Sequence, residues 1–303
     1  MADVLKGKVV VVTGAGRGVG AEIAKLAANE GAKVVVNDLG GSEGGQGSDL
    51  GPAQQMAAEI NKAGGEAIAN GANVASWDGA HELIAAAIKA FGDVDVVINN
   101  AGILRDVMFH KMSEIEFDSV VAVNLKGCFN VARAVAPHFK ERQKGAFVHM
   151  TSTSGLIGNF GQVNYGAAKM GVAGLSKCIA LDMAKFGVRS NCIAPFAWTR
   201  MVGTIPATPE NAARLEVAKR MTPDKVAPFT VALSSDAAKD VSGQVFGVRR
   251  NEIILFSQPR PIRTVHTAEG WTPQKCIDTA LPALRASFFK MDRSSDVFNW
   301  DPI

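Results

Sequence analysis

Three side chains with complementary chemistry lie close together in the middle of the sequence. Ser152 precedes Tyr165, the only tyrosine, by thirteen positions. Lys169 follows Tyr165 by four within a helical pattern, so these two side chains share one helix face. A phenol ionises only well above neutral pH, but a neighbouring ammonium stabilises the phenolate. We therefore predict that Tyr165 is a general acid/base that can accept the proton of a substrate hydroxyl group.

A serine at a strand end supplies a second polar contact in this predicted site. Ser152 follows the apolar run GAFVHMT, and its hydroxyl can hydrogen-bond the substrate oxygen and stabilise developing charge. Chemistry alone does not decide between Ser152 and the nearby Ser154. A Tyr-x-x-x-Lys pattern also arises as an accidental surface pair, but the accompanying serine and a glycine-rich loop argue against that alternative.

The glycine-rich segment TGAGRGVG connects the first apolar run to the first helical pattern. The absence of side chains at Gly14, Gly18 and Gly20 lets the backbone approach a pyrophosphate, which a helix N-terminus stabilises. The spacing is TGxxxGxG and not GxGxxG, because Val19 stands where the third glycine would fall. A tight turn without a ligand is the alternative, but the position between a buried strand and a helix favours a cofactor site.

The elements that must position these residues alternate regularly along the chain. Nearly continuous Val and Ile runs are typical of parallel strands covered on both faces, and their alternation with helical patterns indicates βαβ units. We predict an α/β fold over residues 1–250, a Rossmann-type doubly wound parallel sheet of about seven strands in a three-layer α/β/α arrangement. The predicted strands are 8–13, 32–37, 66–71, 94–99, 145–151, 188–194 and 243–248.

This pattern stops after about residue 250. Residues 251–303 contain several prolines, two of the four tryptophans and one helical pattern at 273–287. Their aromatic content favours a C-terminal extension packed on the main domain over a disordered tail.

Composition argues against several classes of function. Charged residues make up 20% of the 303 residues and the net charge is +3 without basic runs, which disfavours a nucleic-acid partner. The four cysteines form neither a CxxC pair nor a metal-ligand spacing, so we expect reduced thiols and no metal. With neither a signal peptide nor an apolar run of membrane length, we expect a cytoplasmic protein without a membrane partner.

Five motifs, in order, resemble those of the short-chain dehydrogenase/reductase family over about residues 5–250. They are TGAGRGVG, NNAG, VNLKG, YGAAK and IAP. The serine-to-tyrosine spacing of the family selects Ser152 over Ser154. The resemblance implies that Asn124 completes a catalytic tetrad by holding a water that links Lys169 to solvent. The implied cofactor-binding residues are Gly14, Arg17, Gly18, Val19, Asp38, Asn73, Val74, Asn99, Ala101, Gly102, Tyr165, Lys169, Pro195 and Thr199.

Two charged residues make opposite predictions about the cofactor. Asp38 ends the second strand pattern, where a carboxylate would accept hydrogen bonds from the adenosine ribose and repel a 2′-phosphate. Arg17 stands at a position where basic residues accompany NADP preference in the family. We predict NAD, because the Asp38 carboxylate acts on the phosphate directly, whereas Arg17 can turn to solvent or to a pyrophosphate.

Four stretches resemble the (3R)-hydroxyacyl-CoA dehydrogenase units of multifunctional β-oxidation enzymes more specifically. They are NDLGG with the glycine-rich insertion that follows it, NNAGILRD, GNFGQ and IAPFAWTRM. The resemblance implies NAD-dependent oxidation of a 3-hydroxyacyl-CoA to the 3-ketoacyl-CoA by a homodimer or homotetramer. Phe196 and Trp198 are bulkier than the family's residues, which indicates either a reshaped substrate pocket or ordinary lid packing. The predicted substrate-contacting residues are Ser154, Phe160, Phe196 and Trp198.

Three alternative functions stay open. The first is a dehydrogenase of hydroxysteroids or other free secondary alcohols, and the second is an NADPH-dependent 3-ketoacyl reductase. The third, a nucleotide-binding protein without activity, is disfavoured because all four tetrad residues are present. The glycine-rich insertion at 39–50 is predicted to be neither a second phosphate site nor a linker, because it lies within one βαβ unit and no helix opens directly from its glycines.

Overall fold

The computed structural model describes residues 3–42, 44–198 and 212–303. Its strands are β1 Val9–Thr13, β2 Lys33–Asn37, β3 Glu66–Asn70, β4 Val96–Asn99, β5 Gly145–Met150, β6 Val188–Phe196, β7 Val245–Arg249 and β8 Glu252–Leu255. Within the described residues, these strands form one eight-stranded sheet in the order β3-β2-β1-β4-β5-β6-β7-β8. All neighbouring pairs are parallel except β7 and β8.

Helices cover both faces of this sheet. They are α1 Gly18–Asn29, α2 Gly51–Lys62, α3 Trp77–Phe91, α4 Glu114–Val121, α5 Gly127–Arg142, α6 Thr153–Leu156, α7 Val163–Met183, α8 Ala212–Lys219, α9 Ala227–Ser234, α10 Pro273–Lys275, α11 Leu281–Arg285 and α12 Ser294–Val297. A π-helical turn, Ala122–Lys126, joins α4 to α5, and another, Cys276–Ala280, joins α10 to α11.

The valine run of β1 is buried on both sides, which explains its lack of polar alternation. Val10 and Val12 pack in one core cluster with Ile23 of α1, whereas Val11 packs in a second cluster with Leu83 of α3. A parallel strand between two helical layers needs apolar side chains at every position. The predicted doubly wound, three-layer α/β fold is confirmed.

The strand order reverses direction between β1 and β4. In a doubly wound sheet, the loops at the carboxyl ends of strands on either side of such a switch point diverge and leave a crevice for a ligand. The TGAGRGVG loop follows β1 and the NNAG segment begins at the end of β4, so the fold brings both predicted motifs to this crevice.

The sheet continues one strand beyond the predicted boundary at residue 250. Arg250, with φ of +56°, lies in the tight turn between β7 and β8, so the boundary falls inside a hairpin. Residues of β8 alternate between half-buried and exposed, as is typical of an edge strand with one solvated face. The segment NEIIL lacks a following helix, and for this reason the βαβ pattern did not reveal it.

The residues after β8 contact the main part of the chain at several points. The Phe298 ring packs edge-on against Phe196 with centroids 4.8 Å apart, and the backbone N–H of Ser294 donates to the Gly158 carbonyl at 3.0 Å. The predicted helix at 273–287 is present as α10, its π turn and α11. No helix within the described ranges is long and apolar enough to cross a membrane.

Candidate active site

A cavity of about 630 Å³ opens at the carboxyl ends of the parallel strands. This volume lies in the range of ordinary small-molecule sites. Its wall contains nearly all the residues predicted to bind cofactor or to perform catalysis, together with residues the sequence did not single out. The predicted lining residues are Gly14, Arg17, Gly18, Val19, Asp38, Asn73, Val74, Ala101, Gly102, Asn124, Ser152, Ser154, Tyr165, Lys169 and Pro195.

The TGAGRGVG loop forms a backbone cradle that side chains would fill. Gly14 has φ of +63°, and a Cβ atom there would lie 2.8 Å from the Ala101 Cα. A Cβ atom on Gly20 would overlap the Gly14 carbonyl oxygen. The loop leads directly into α1, whose N-terminal amides favour an anion. This cradle fits the pyrophosphate of a dinucleotide.

Asn100 and Thr13 hold the cradle against the end of β4. The Asn100 side-chain amide donates to the carbonyls of Thr13 and Gly14, at 3.0 Å in each case. The Thr13 hydroxyl accepts the backbone N–H groups of Asn100 and Ala101 at 3.0 and 3.1 Å. Sequence reasoning assigned neither residue a role.

Asn99, predicted to bind cofactor, does not line the cavity. Its side chain is buried and donates to the Cys128 carbonyl and toward His149 Nδ1. Asn99 lies two positions after Val97, which faces the core beneath α3 and α5, so the alternation of β4 points Asn99 to that same layer. Asn100 occupies the cavity wall instead.

The Asp38 carboxylate is fixed by two backbone N–H groups. Its Oδ2 accepts from Gly16 at 2.8 Å and its Oδ1 from Gly40 at 2.7 Å, while unused lone pairs stay available in the cavity wall. A Cβ atom on Gly16 would lie 2.9 Å from Asp38 Oδ2, so this approach requires glycine. Arg17 is exposed at the same cavity.

The glycine-rich insertion folds over this part of the cavity. Gly41, Ser42 and Gly45 belong to its wall. Arg105 Nε donates to the Gly44 carbonyl at 2.9 Å, and a Cβ atom on Gly45 would lie 2.8 Å from the Ile103 side chain. The insertion therefore packs on the segment that follows β4, in agreement with the prediction that it is not a free linker.

Tyr165 and Lys169 share one face of α7, as their spacing predicts. Lys169 is 3% exposed, its Nζ donates to the Met150 carbonyl at 2.8 Å, and Nζ lies 5.6 Å from the centre of the Tyr165 ring. The backbone N–H of Tyr165 donates to Asn164 Oδ1 at 2.7 Å. A buried cation beside a phenol is the arrangement that stabilises a phenolate.

Asn124 lies in the π turn between α4 and α5. Its Nδ2 donates to the carbonyls of Ile103 and Val120, at 2.9 and 3.0 Å, whereas its buried Oδ1 has no protein partner. A Cβ atom on Gly102 would lie 2.5 Å from this oxygen and 3.8 Å from Lys169 Nζ. A free acceptor thus lies near the ammonium, which fits the water-holding role that the family resemblance implies.

Ser152 stands at the N-cap of α6, immediately after β5. Its Oγ accepts the Ser154 backbone N–H at 3.1 Å and donates to the Ser154 hydroxyl at 3.2 Å. Both serines line the cavity, so the structure brings the predicted catalytic serine and its neighbour together with Tyr165.

Three predicted substrate residues lie outside this cavity wall. Phe160 is 73% exposed and lies beneath the Arg293 guanidinium, 5.4 Å from ring centroid to Cζ. Phe196 packs on Phe298 of the C-terminal segment, and the backbone N–H of Trp198 donates to the Met221 carbonyl. The C-terminal segment therefore covers part of the aromatic surface that the sequence assigned to substrate. Thr199, predicted to bind cofactor, lies outside the described residues.

Thiol and metal chemistry have no support at this site. Burial raises the pKa of the Cys128 thiol, and it raises the pKa of Cys192 to about 12, so neither supplies a thiolate at neutral pH. Among the residues that the structure describes, no cluster of His, Cys, Asp and Glu could hold a metal ion.

A buried histidine behind the site makes the fold sensitive to acid. Burial, with a smaller contribution from the Lys169 charge, lowers the pKa of His149 to about 3. The unfolded chain binds a proton near pH 6.5 and the folded chain does not, so stability is lost as pH falls from about 6.5 toward 3. We expect His149→Asn, measured by urea unfolding, to reduce the stability loss between pH 7 and pH 5 by about 2 kcal/mol.

The matched control is His110→Asn, which removes an exposed histidine far from the core. It is expected to leave the pH dependence of unfolding as in the wild type. Equal pH dependence in His149→Asn and the wild type would contradict the assignment, whatever the absolute stability of the variant.

Comparison with known proteins agrees with the site. The model of the short chain dehydrogenase family matches residues 8–209. A short-chain type dehydrogenase/reductase of Mycobacterium tuberculosis is 48% identical over 77% of this chain and 79% of its own length. The peroxisomal hydratase-dehydrogenase-epimerase of Saccharomyces cerevisiae is 46% identical over 80% of this chain, which corresponds to only 26% of that protein.

A solved structure extends the comparison to three dimensions. A 7α-hydroxysteroid dehydrogenase in complex with NADH and 7-oxo glycochenodeoxycholic acid superposes with a TM-score of 0.74 at 30% identity, over 82% of this chain and 94% of that one. The fold, the glycine cradle and the tetrad residues in one cavity agree with these similarities. The chain belongs to the short-chain dehydrogenase/reductase family.

Proposed function

We propose that this oxidoreductase oxidises the 3-hydroxyl group of a 3-hydroxyacyl-CoA to a ketone, with NAD as the hydride acceptor. One observation carries the proposal. Ser152, Tyr165 and Lys169 line the same cavity as Asp38. Ser152 follows β5 and Asp38 follows β2, and the strands β1 and β4 lie between β2 and β5 in the sheet. One cavity therefore joins Tyr165, the proposed proton-transfer group, to Asp38, the proposed ribose-binding carboxylate.

The side chains of this protein supply the proton transfer. Tyr165, as the phenolate, takes the proton of the substrate hydroxyl, and Ser152 hydrogen-bonds the same oxygen as it becomes a carbonyl. Lys169 stabilises the phenolate, and Asn124 Oδ1 holds the water that passes the proton toward solvent. A bound nicotinamide would supply the hydride acceptor, so that the alcohol carbon loses two electrons as its oxygen loses the proton.

The thioester substrate is supported by the likeness to the yeast hydratase-dehydrogenase-epimerase over 241 residues. The region matched is one part of that longer protein, and we attribute to this chain a dehydrogenase activity alone. A second candidate, a free hydroxysteroid, is favoured by the fold shared with the 7α-hydroxysteroid dehydrogenase.

A substrate screen separates the two candidates. NADH formation is measured with 3-hydroxyacyl-CoA thioesters of short, medium and long acyl chains, as (3R) and (3S) epimers, and with free hydroxysteroids. We expect kcat/KM for the best (3R) thioester to exceed that for any free hydroxysteroid by roughly a hundredfold, because contacts made only by the acyl-CoA contribute to transition-state binding.

The corresponding free 3-hydroxy acids serve as controls for the CoA part of the substrate. Turnover of hydroxysteroids without turnover of any thioester would contradict the thioester proposal and support the second candidate. If no secondary alcohol in the screen gave NADH, the result would contradict both the thioester and the hydroxysteroid candidates.

A further inference from the structure

A chain of hydrogen-bonded side chains leads from the catalytic serine to the surface. Ser152 Oγ donates to Ser154 Oγ, and Ser154 Oγ donates in turn to Gln162 Oε1 at 2.7 Å. Gln162 Nε2 then donates to Asp106 Oδ2, also at 2.7 Å. Ser152, Ser154 and Gln162 line the cavity, whereas Asp106 is exposed beside it.

Asp106 determines which end of the Gln162 amide meets Ser154. An ionised carboxylate only accepts hydrogen bonds, so the amide nitrogen must face Asp106 and the amide oxygen must face Ser154. Because an amide oxygen also only accepts, the hydroxyl proton of Ser154 points to Gln162 and away from Ser152.

The other contacts of the two serines agree with this direction. Asn159 Nδ2 donates to Ser154 Oγ at 2.9 Å, and the Ser154 backbone N–H donates to Ser152 Oγ at 3.1 Å. Ser154 therefore presents a lone pair, and not a proton, to Ser152. The single hydroxyl proton of Ser152 points to this lone pair, and from there it can turn to a substrate oxygen.

We propose that Gln162 and Asp106 are positioning residues for Ser152: the amide–carboxylate pair takes the proton of Ser154, so that Ser154 accepts from Ser152 and holds its hydroxyl group in place for the reacting oxygen. This inference rests on the proposed function, in which Ser152 stabilises the oxygen that becomes a carbonyl. If Gln162 no longer accepts, Ser154 can turn its proton toward Ser152, and the Ser152 hydroxyl group then loses the acceptor that orients it.

The test exchanges the amide and the carboxylate group between positions 162 and 106. Gln162→Glu places two carboxylates in contact, and their repulsion breaks the chain, so kcat is expected to fall roughly tenfold. Adding Asp106→Asn lets the amide at position 106 donate to the carboxylate at position 162, which again accepts from Ser154. The double variant is expected to recover most of the lost kcat, as a double-mutant cycle with favourable coupling.

Gln274→Glu is the matched control, because Gln274 donates to the exposed Asp278 in a similar Gln–Asp pair on the C-terminal segment, away from the cavity. It is expected to keep the wild-type kcat. The KM for NAD and the Kd for NADH are measured for every variant, since a positioning effect on Ser152 lowers kcat and leaves both constants within about threefold.

Two results would overturn the inference: an unchanged kcat in Gln162→Glu, or a double variant no faster than Gln162→Glu. The proposed function can fail separately. A wild-type enzyme that oxidises free secondary alcohols and no thioester contradicts only the thioester assignment, and the same variants compared on that alcohol then decide the role of Gln162 and Asp106.

Discussion

Tyr165→Phe is expected to lower kcat by about 1,000-fold, because the variant has no group that can take the substrate proton. The ring that packs near Lys169 is retained, so the helix and the glycine cradle keep their positions. NADH binding, measured by the fluorescence of the bound nucleotide, is therefore expected to change by less than about fivefold. Loss of turnover with retained cofactor binding separates proton transfer from binding.

No second tyrosine is present to serve as a like-for-like control. Ser119→Ala provides a hydroxyl deletion outside the cavity instead, since Ser119 Oγ donates only to the Ile115 carbonyl within α4. It is expected to keep the wild-type kcat. Residual activity of Tyr165→Phe within tenfold of the wild type would contradict the proposed proton transfer.

Asp38→Asn is expected to shift the ratio of kcat/KM for NADP to that for NAD by about 100-fold in favour of NADP. A carboxylate near 5 Å from a 2′-phosphate charge contributes roughly 3 kcal/mol of repulsion at an effective dielectric constant of 20. The amide keeps the shape of the side chain and one of the two backbone contacts. Rates with both cofactors, each measured over a range of concentration, give the ratio.

Asp49→Asn is the matched control, because Asp49 also accepts a backbone N–H, from Gly51 at 2.8 Å, and lies on the same insertion outside the cavity wall. It is expected to leave the cofactor ratio unchanged. A wild-type enzyme that prefers NADP, and loses this preference in Arg17→Ala, would contradict the assignment of NAD to Asp38.

Much of the fold and of the site follows from local sequence patterns. The valine run of β1 predicts a strand buried on both faces because few other structures bury every position of such a run. Tyr165 and Lys169 share a face because α7 is regular between them. The motifs that follow the strands lie close together because the carboxyl ends of all parallel strands lie at one edge of the sheet.

The features that the sequence did not reveal depend on contacts between distant segments. Gln162 and Asp106 are 56 positions apart, and no local pattern predicts that their side chains meet. Phe196 lies against Phe298, about a hundred residues later, so its assignment to substrate could not anticipate that partner. Asn99 is different, because the alternation along β4 places its side chain on the same face as Val97, and only the packing of Val97 shows that this face points away from the cavity.

The π turn at Ala122–Lys126 has a consequence for insertions and deletions. It holds one residue more than an α-helical turn, and one residue rotates everything beyond it by about 100° around the axis. The helix packs on α7 before the turn and on α3 after it. Deleting a single residue between Ala122 and Lys126 would rotate α5 relative to α4 by this angle. Only one of the two helices could then keep its packing contact, α4 with α7 or α5 with α3. Changes in length here, unlike changes in side chain, are therefore expected to be poorly tolerated.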